Sequence, residues 1–163
     1  MRQRALVGFV MAGLIMFGTS RKAAADDLAA WFGSWAIVGT WSVQVTLANC
    51  ATGAEIPGAA FPALNTFIAG GSMLSDPAAN PALLRTGHGV WDYAGSRQFT
   101  NTVVLFRFNA DGSYAGTQTV RRTISVSRDF NEFTARDTAT TADPAGNVVA
   151  TSCGLGRGRR LQS

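Results

Sequence analysis

Residues 97–152, RQFTNTVVLFRFNADGSYAGTQTVRRTISVSRDFNEFTARDTATTADPAGNVVATS, decide the fold. Strand-like runs at 97–109, 113–128, 132–142 and 147–152 alternate with turn chemistry. The turns are Asp111-Gly112, Asp129-Phe130-Asn131 and Asp143-Pro144-Ala145-Gly146-Asn147. Asp and Asn bond their own backbone in turns, and Gly supplies positive φ at no steric cost. Between the turns β-branched residues are dense, with Thr117, Thr119, Val120, Thr123, Ile124 and Val126 in one run. Such residues pack well on a pleated surface. Long runs joined by tight turns predict an all-β chain, an antiparallel up-and-down β-barrel rather than a sandwich of short strands.

Working outward, Trp41, Val43, Val45 and Leu47 alternate with Thr40, Ser42, Gln44 and Thr46. That period of two is a half-buried strand. A second run, Ala63 to Ala69, includes Phe67 and ends at Gly70-Gly71, which should bend or bulge the chain. A short strand is expected around Gly89 to Tyr93. Residues 72–86 contain Pro77 and Pro81, which excludes a central strand and predicts a long loop. Its apolar Met73, Leu74, Leu83 and Leu84 suit a lid at a barrel mouth. Residues 27–35, DLAAWFGSW, predict a short N-terminal helix capped by Asp26 or Asp27.

The first 25 residues have the layout of a secretory signal peptide. Arg2 and Arg4 form a basic start, Ala5 to Gly18 is apolar but short for a bilayer span, and Ala23-Ala24-Ala25 offers a cleavage site. An uncleaved anchor helix is the alternative. Residues 26–163 then suit one domain, exported to the periplasm or secreted. Four of the 14 basic residues (Arg2, Arg4, Arg21 and Lys22) precede position 23, and none of the 10 acidic residues does. The mature chain is therefore neutral, which argues against a nucleic-acid partner. No stretch after Asp26 is long and apolar enough for a membrane span, so no stable membrane insertion is expected after cleavage.

Cys50 and Cys153 are the two cysteines. In an exported protein a disulfide is the default. Closing a loop of about 100 residues would contribute roughly 4–5 kcal/mol. Cys50 ends the first predicted strand and Cys153 the last, so the bond would bring those strands together, as barrel closure requires. With His88 as a third ligand the pair could bind metal, but no close-spaced ligand pair exists, and no metal or cofactor is expected.

Gly39-Thr40-Trp41 heads the first strand, and Gly87-His88-Gly89-Val90-Trp91 and the Asp143 to Asn147 turn follow. On these residues the chain resembles the lipocalins and the wider calycin group. It also resembles small exported bacterial proteins of lipocalin-like type that share these segments. The resemblance covers about residues 39–153. It implies a short helix plugging one barrel end, and an Arg after the last strand packed across the signature Trp. Arg157, Arg159 and Arg160 are available for that contact.

Candidate chemistry is sparse. His88 is the only histidine. On a strand it shares a face with Val90 and Asp92, while Trp91 and Tyr93 take the other. A His88–Asp92 pair could act in general acid–base chemistry. Its alternative is a structural histidine beside a bend. Phe99, Asn101, Val103, Leu105 and Arg107 share one strand face, and Tyr114, Gln118, Val120, Arg122, Ile124 and Val126 another. If these faces point inward, Asn101, Arg107, Gln118 and Arg122 become polar contacts in an apolar cavity. A buried Arg122 needs an acidic partner: Asp137, Asp92 or a ligand carboxylate. Serine-nucleophile elbows and phosphate loops are absent, and Asn109 to Gly112 reads as a hairpin turn rather than a calcium loop.

The expected function is an exported barrel that binds a small, mostly apolar ligand. The expected ligand-binding residues are Trp41, Phe67, His88, Trp91, Asn101, Gln118 and Arg122. Two alternatives stand beside it. One is a cofactor-free isomerase, cyclase or lyase using His88 and Asp92, with Arg122 converging on the same cavity. The other is an envelope protein whose surface binds another protein.

Overall fold

The computed structural model describes Gly33 and residues 35–162. The expected signal peptide lies outside these residues, as does nearly all of the expected helix at 27–35. Of that helix only Gly33 and Trp35 are described, and Trp35 to Ile37 form a turn.

Eight strands follow in order. They are β1 (Gly39–Ala48), β2 (Glu55–Ile68), β3 (Ser72–Pro77), β4 (Gly87–Gly95), β5 (Gln98–Phe108), β6 (Tyr114–Val126), β7 (Glu132–Ala142) and β8 (Val148–Arg160). Each pairs antiparallel with the next, and β8 returns to β1, so the sheet closes on itself as a barrel. Closure leaves none of the eight strands at an edge of the sheet, where unpaired backbone would template aggregation. The Cys50–Cys153 disulfide forms beside the closing seam, where Cys153 is the register partner of Ala48.

The three aspartate turns join β5 to β8 as their sequences require. Asp143 Oδ1 accepts from the backbone N–H of Ala145 at 3.0 Å and of Asn147 at 2.8 Å. Asp111 accepts from the N–H of Ser113, and Asp129 from that of Asn131. Hydrogen bonds to these exposed carboxylates, chiefly from the side chains of Ser113, Ser127 and Asn147, hold all three below the ordinary carboxylate pKa.

The structure corrects the sequence reading at three strands. Residues 72–77 are a strand, not loop. Pro77 is its last residue and lies beyond the β3–β4 ladder, which runs from Ser72 to Ser75. The missing N–H therefore breaks no β3–β4 rung. Strand β2 begins eight residues before Ala63. Pro57 and Pro62 fall in the part of β2 that outruns β3, so neither missing N–H breaks a β2–β3 rung. Strand β8 continues past Cys153 to Arg160, so Cys153 sits mid-strand and the basic tail is part of the sheet. Its inward positions are Gly154, Gly156 and Gly158, which carry no apolar side chain to betray a strand. A Cβ on Gly158 would collide with the ring of Phe133.

Large side chains fill one half of the barrel. Ile37, Trp41, Phe67, Met73, Trp91, Phe99, Ile124 and Phe133 are buried there. Trp41 and Phe133 meet at 5.0 Å between ring centroids, and Trp91 and Phe99 at 5.9 Å. Trp41 Nε1 donates to the carbonyl of Ile37 at 2.8 Å. Of the three candidate arginines, Arg160 covers Trp41, with its guanidinium carbon 4.2 Å from the ring centroid. Its guanidinium also donates to the carbonyls of Ala36, Val38 and Phe130, which seals this end.

Candidate functional site

Small inward residues leave the other half of the barrel open. Ala63, Ser75, Ala139 and Gly154 stand where the closed half carries aromatic rings, and they border a cavity of about 330 Å³. That is near the lower end of the range for small-molecule pockets. Val45, Leu47, Phe61, Leu105 and Val120 supply apolar wall. Gln118, Arg122 and Asp137 supply the polar lining together with Ser75.

The rim comes partly from residues 78–86, the remaining piece of the expected lid. Ala78, Ala79 and Leu84 face the cavity. This segment is pinned rather than free. Leu84 forms a β-bridge with Arg107, Arg85 N donates to Phe106 O, and Phe108 N donates to Leu83 O. Arg85 also lies over the Phe108 ring at 5.7 Å. Of the apolar residues assigned to the lid, Met73 belongs to the core and Leu83 is exposed.

The phase of β5 and β6 is settled by burial. Phe99, Asn101, Val103 and Leu105 point inward, and Phe106 is 55% exposed. On β6, Val120, Arg122, Ile124 and Val126 are buried. Arg122 finds its acidic partner in Asp137, its register neighbour on β7. The Arg122 Nε donates to Asp137 Oδ2 at 3.1 Å, with both residues 9% exposed. Burial pushes the Asp137 pKa up, and the Arg122 charge pulls it partly back.

The expected site residues divide into three groups. Gln118 and Arg122 line the cavity. Trp41, Phe67, Trp91 and Asn101 are inside the barrel, but the three rings belong to the packed half, and Asn101 is buried beside Arg122 in register without bordering the cavity. Trp91 is held there by its Nε1, which donates to the carbonyls of Ile68 and Ser72. His88 and Asp92 are on the outer face, exposed to solvent. The structure therefore does not bring His88, Asp92 and Arg122 together, which corrects the expectation of a shared acid–base site. The glycines flanking His88 explain the placement. A Cβ on Gly87 would lie 2.5 Å from Val103 Cγ1, and one on Gly89 would strike the Thr102 carbonyl. Gly87 and Gly89 thus take inward positions against β5, and alternation turns His88 out.

Sequence reasoning missed Ser75, which lines the cavity, and Asn65, which is buried inside the barrel on β2 without bordering it. Asn65 shares the alternation of Ala63 and Phe67, so its inward position was readable. Ser75 was hidden by the proline-based loop assignment of 72–86. Among the described residues no cluster of His, Cys, Asp and Glu could hold a metal ion. A larger depression, about 700 Å³, lies across the outer wall from β6 to β2, bordered by exposed polar side chains including Gln44, Thr134 and Arg159. It is a surface groove, not an interior site.

No protein-family model, curated protein or solved structure matches this chain.

Proposed function

We propose that this chain is an exported, lipocalin-like barrel that binds a small, mostly apolar ligand in the cavity at its open end. One observation carries the reading: an apolar-walled cavity of about 330 Å³ that ends on a small set of polar groups. Such a pocket gains affinity from apolar burial and orientation from its few polar contacts. The Trp41–Arg160 contact at the sealed end supports the lipocalin-like assignment. The Cys50–Cys153 bond supports an oxidising compartment. His88 and Asp92 have no part in this function.

The test is native mass spectrometry of the oxidised protein, followed by solvent extraction and calorimetric titration with medium-chain alcohols. A bound apolar molecule or one-to-one alcohol binding is expected. Ala139→Phe places a ring in the cavity and should abolish binding with the circular dichroism spectrum retained. His88→Ala should leave binding unchanged. Equal binding by native protein and folded Ala139→Phe would refute the site.

A further inference from the structure

Arg122 and Asp137, which line the cavity, belong to a buried polar row. Asn101, Arg122 and Asp137 are register partners in one row across β5, β6 and β7. Asn101 is 4% exposed, and Arg122 and Asp137 are each 9% exposed. Arg122 and Asp137 already share one hydrogen bond, so together they form a neutral pair. Yet Arg122 Nη1, Asp137 Oδ1 and both amide atoms of Asn101 are buried without a hydrogen-bond partner. Groups in that state in a native protein call for partners, because desolvation without a hydrogen bond is unfavourable.

Arg122 and Asp137 line the cavity, so the pair restricts what can sit against it. Arg122 only donates and ionised Asp137 only accepts. A ligand group that satisfies both must accept from one and donate to the other. A hydroxyl does both. A carboxylate only accepts, and it would set a second negative charge beside Asp137. An ammonium only donates, and it would set a second positive charge beside Arg122. Either ion leaves one uncompensated charge in a dry site, which is costly. The apolar walls require that the rest of the molecule be hydrocarbon or aromatic.

We propose that the ligand is a small apolar alcohol or phenol whose hydroxyl engages the Arg122–Asp137 pair. The proposal rests on the cavity-binding reading above. It is tested by calorimetric titration at about pH 7 with octanol, octanoate, octylammonium and toluene. Octanol should bind at least about tenfold more tightly than either ion. Asp137→Asn leaves Arg122 uncompensated and should shift preference toward octanoate by about tenfold or more. Arg122→Gln leaves Asp137 uncompensated and should shift it toward octylammonium in the same sense. Equal or tighter binding of octanoate by the native protein overturns the proposal, and that comparison stands even where a variant fails to fold. A preference for octanol that survives in both folded variants also overturns it. If none of the four compounds binds, toluene included, the cavity reading falls as well.

Discussion

Removing the Cys50–Cys153 cross-link, as Cys50→Ala with Cys153→Ala, isolates what covalent closure adds to a ring already closed by hydrogen bonds. The bridge spans 103 positions of sequence. In the chain-entropy model a loop of that length removes enough freedom from the unfolded chain to stabilise the fold by about 4.7 kcal/mol at 25 °C. Domains of this kind have total stabilities of only about 5–15 kcal/mol, so the loss is large. The folded state itself should change little. The β1–β8 ladder runs from Trp41–Arg160 to Ala48–Cys153 and does not depend on the sulfurs for its register. The assay is urea unfolding followed by tryptophan fluorescence. With a slope of about 2 kcal/mol/M, the midpoint should fall by roughly 2 M. The slope should rise, because an uncross-linked unfolded chain exposes more surface. Circular dichroism in buffer should be unchanged. A stability loss under about 1 kcal/mol would refute the entropic argument. A variant that keeps its strands but shows solvent-exposed Trp41 would refute the claim that the ladder closes the ring unaided. Cys153 also borders the cavity, so octanol titration of the double variant reports whether the rim keeps its shape.

Three other perturbations probe different parts of the barrel. Arg160→Met removes the cation over Trp41 and its bonds to three carbonyls, and should cost about 2–3 kcal/mol in denaturant unfolding. Arg160→Lys should recover less than half of that, because an ammonium lacks the planar fork; full recovery would refute the geometric account. Gly158→Val drives a side chain into Phe133, and should destabilise by at least about 1–3 kcal/mol and broaden the aromatic signals of Trp41 and Phe133 in NMR spectra. The pH dependence should carry two opposed contributions. The Asp137 pKa is raised above 3.8 in the folded state, chiefly by burial. The folded state then binds more protons in that window, and stability falls as pH rises through it. Asp111, Asp129 and Asp143 are lowered, so their contribution is present above 3.8 and is lost as pH falls through their folded values. Unfolding midpoints across the acid range should show that Asp137→Asn removes the first effect and leaves the second.

The sequence by itself determined the strand count of the C-terminal meander, its turns and its cross-link. These are local or chemically compelled. A period of two, an Asp that folds back on its own backbone, and a lone pair of cysteines behind an apolar N-terminal segment each carry their meaning without knowledge of the partner strand. Tertiary structure alone decided the rest. Both faces of β5 are apolar, so alternation could not say whether Val103 and Leu105 or Phe106 and Phe108 turn inward. Strand β3 was masked by prolines that matter only if their N–H groups meet a ladder, and the end of β8 by inward glycines, of which Gly158 makes room for the Phe133 ring. His88 stands out in sequence because glycines flank it, yet those glycines serve Val103 and Leu105, and the histidine is left outside. The cavity is the least local feature of all. It is the volume that Ala63, Ser75, Ala139 and Gly154 leave unfilled, on four strands that meet only when the ring closes.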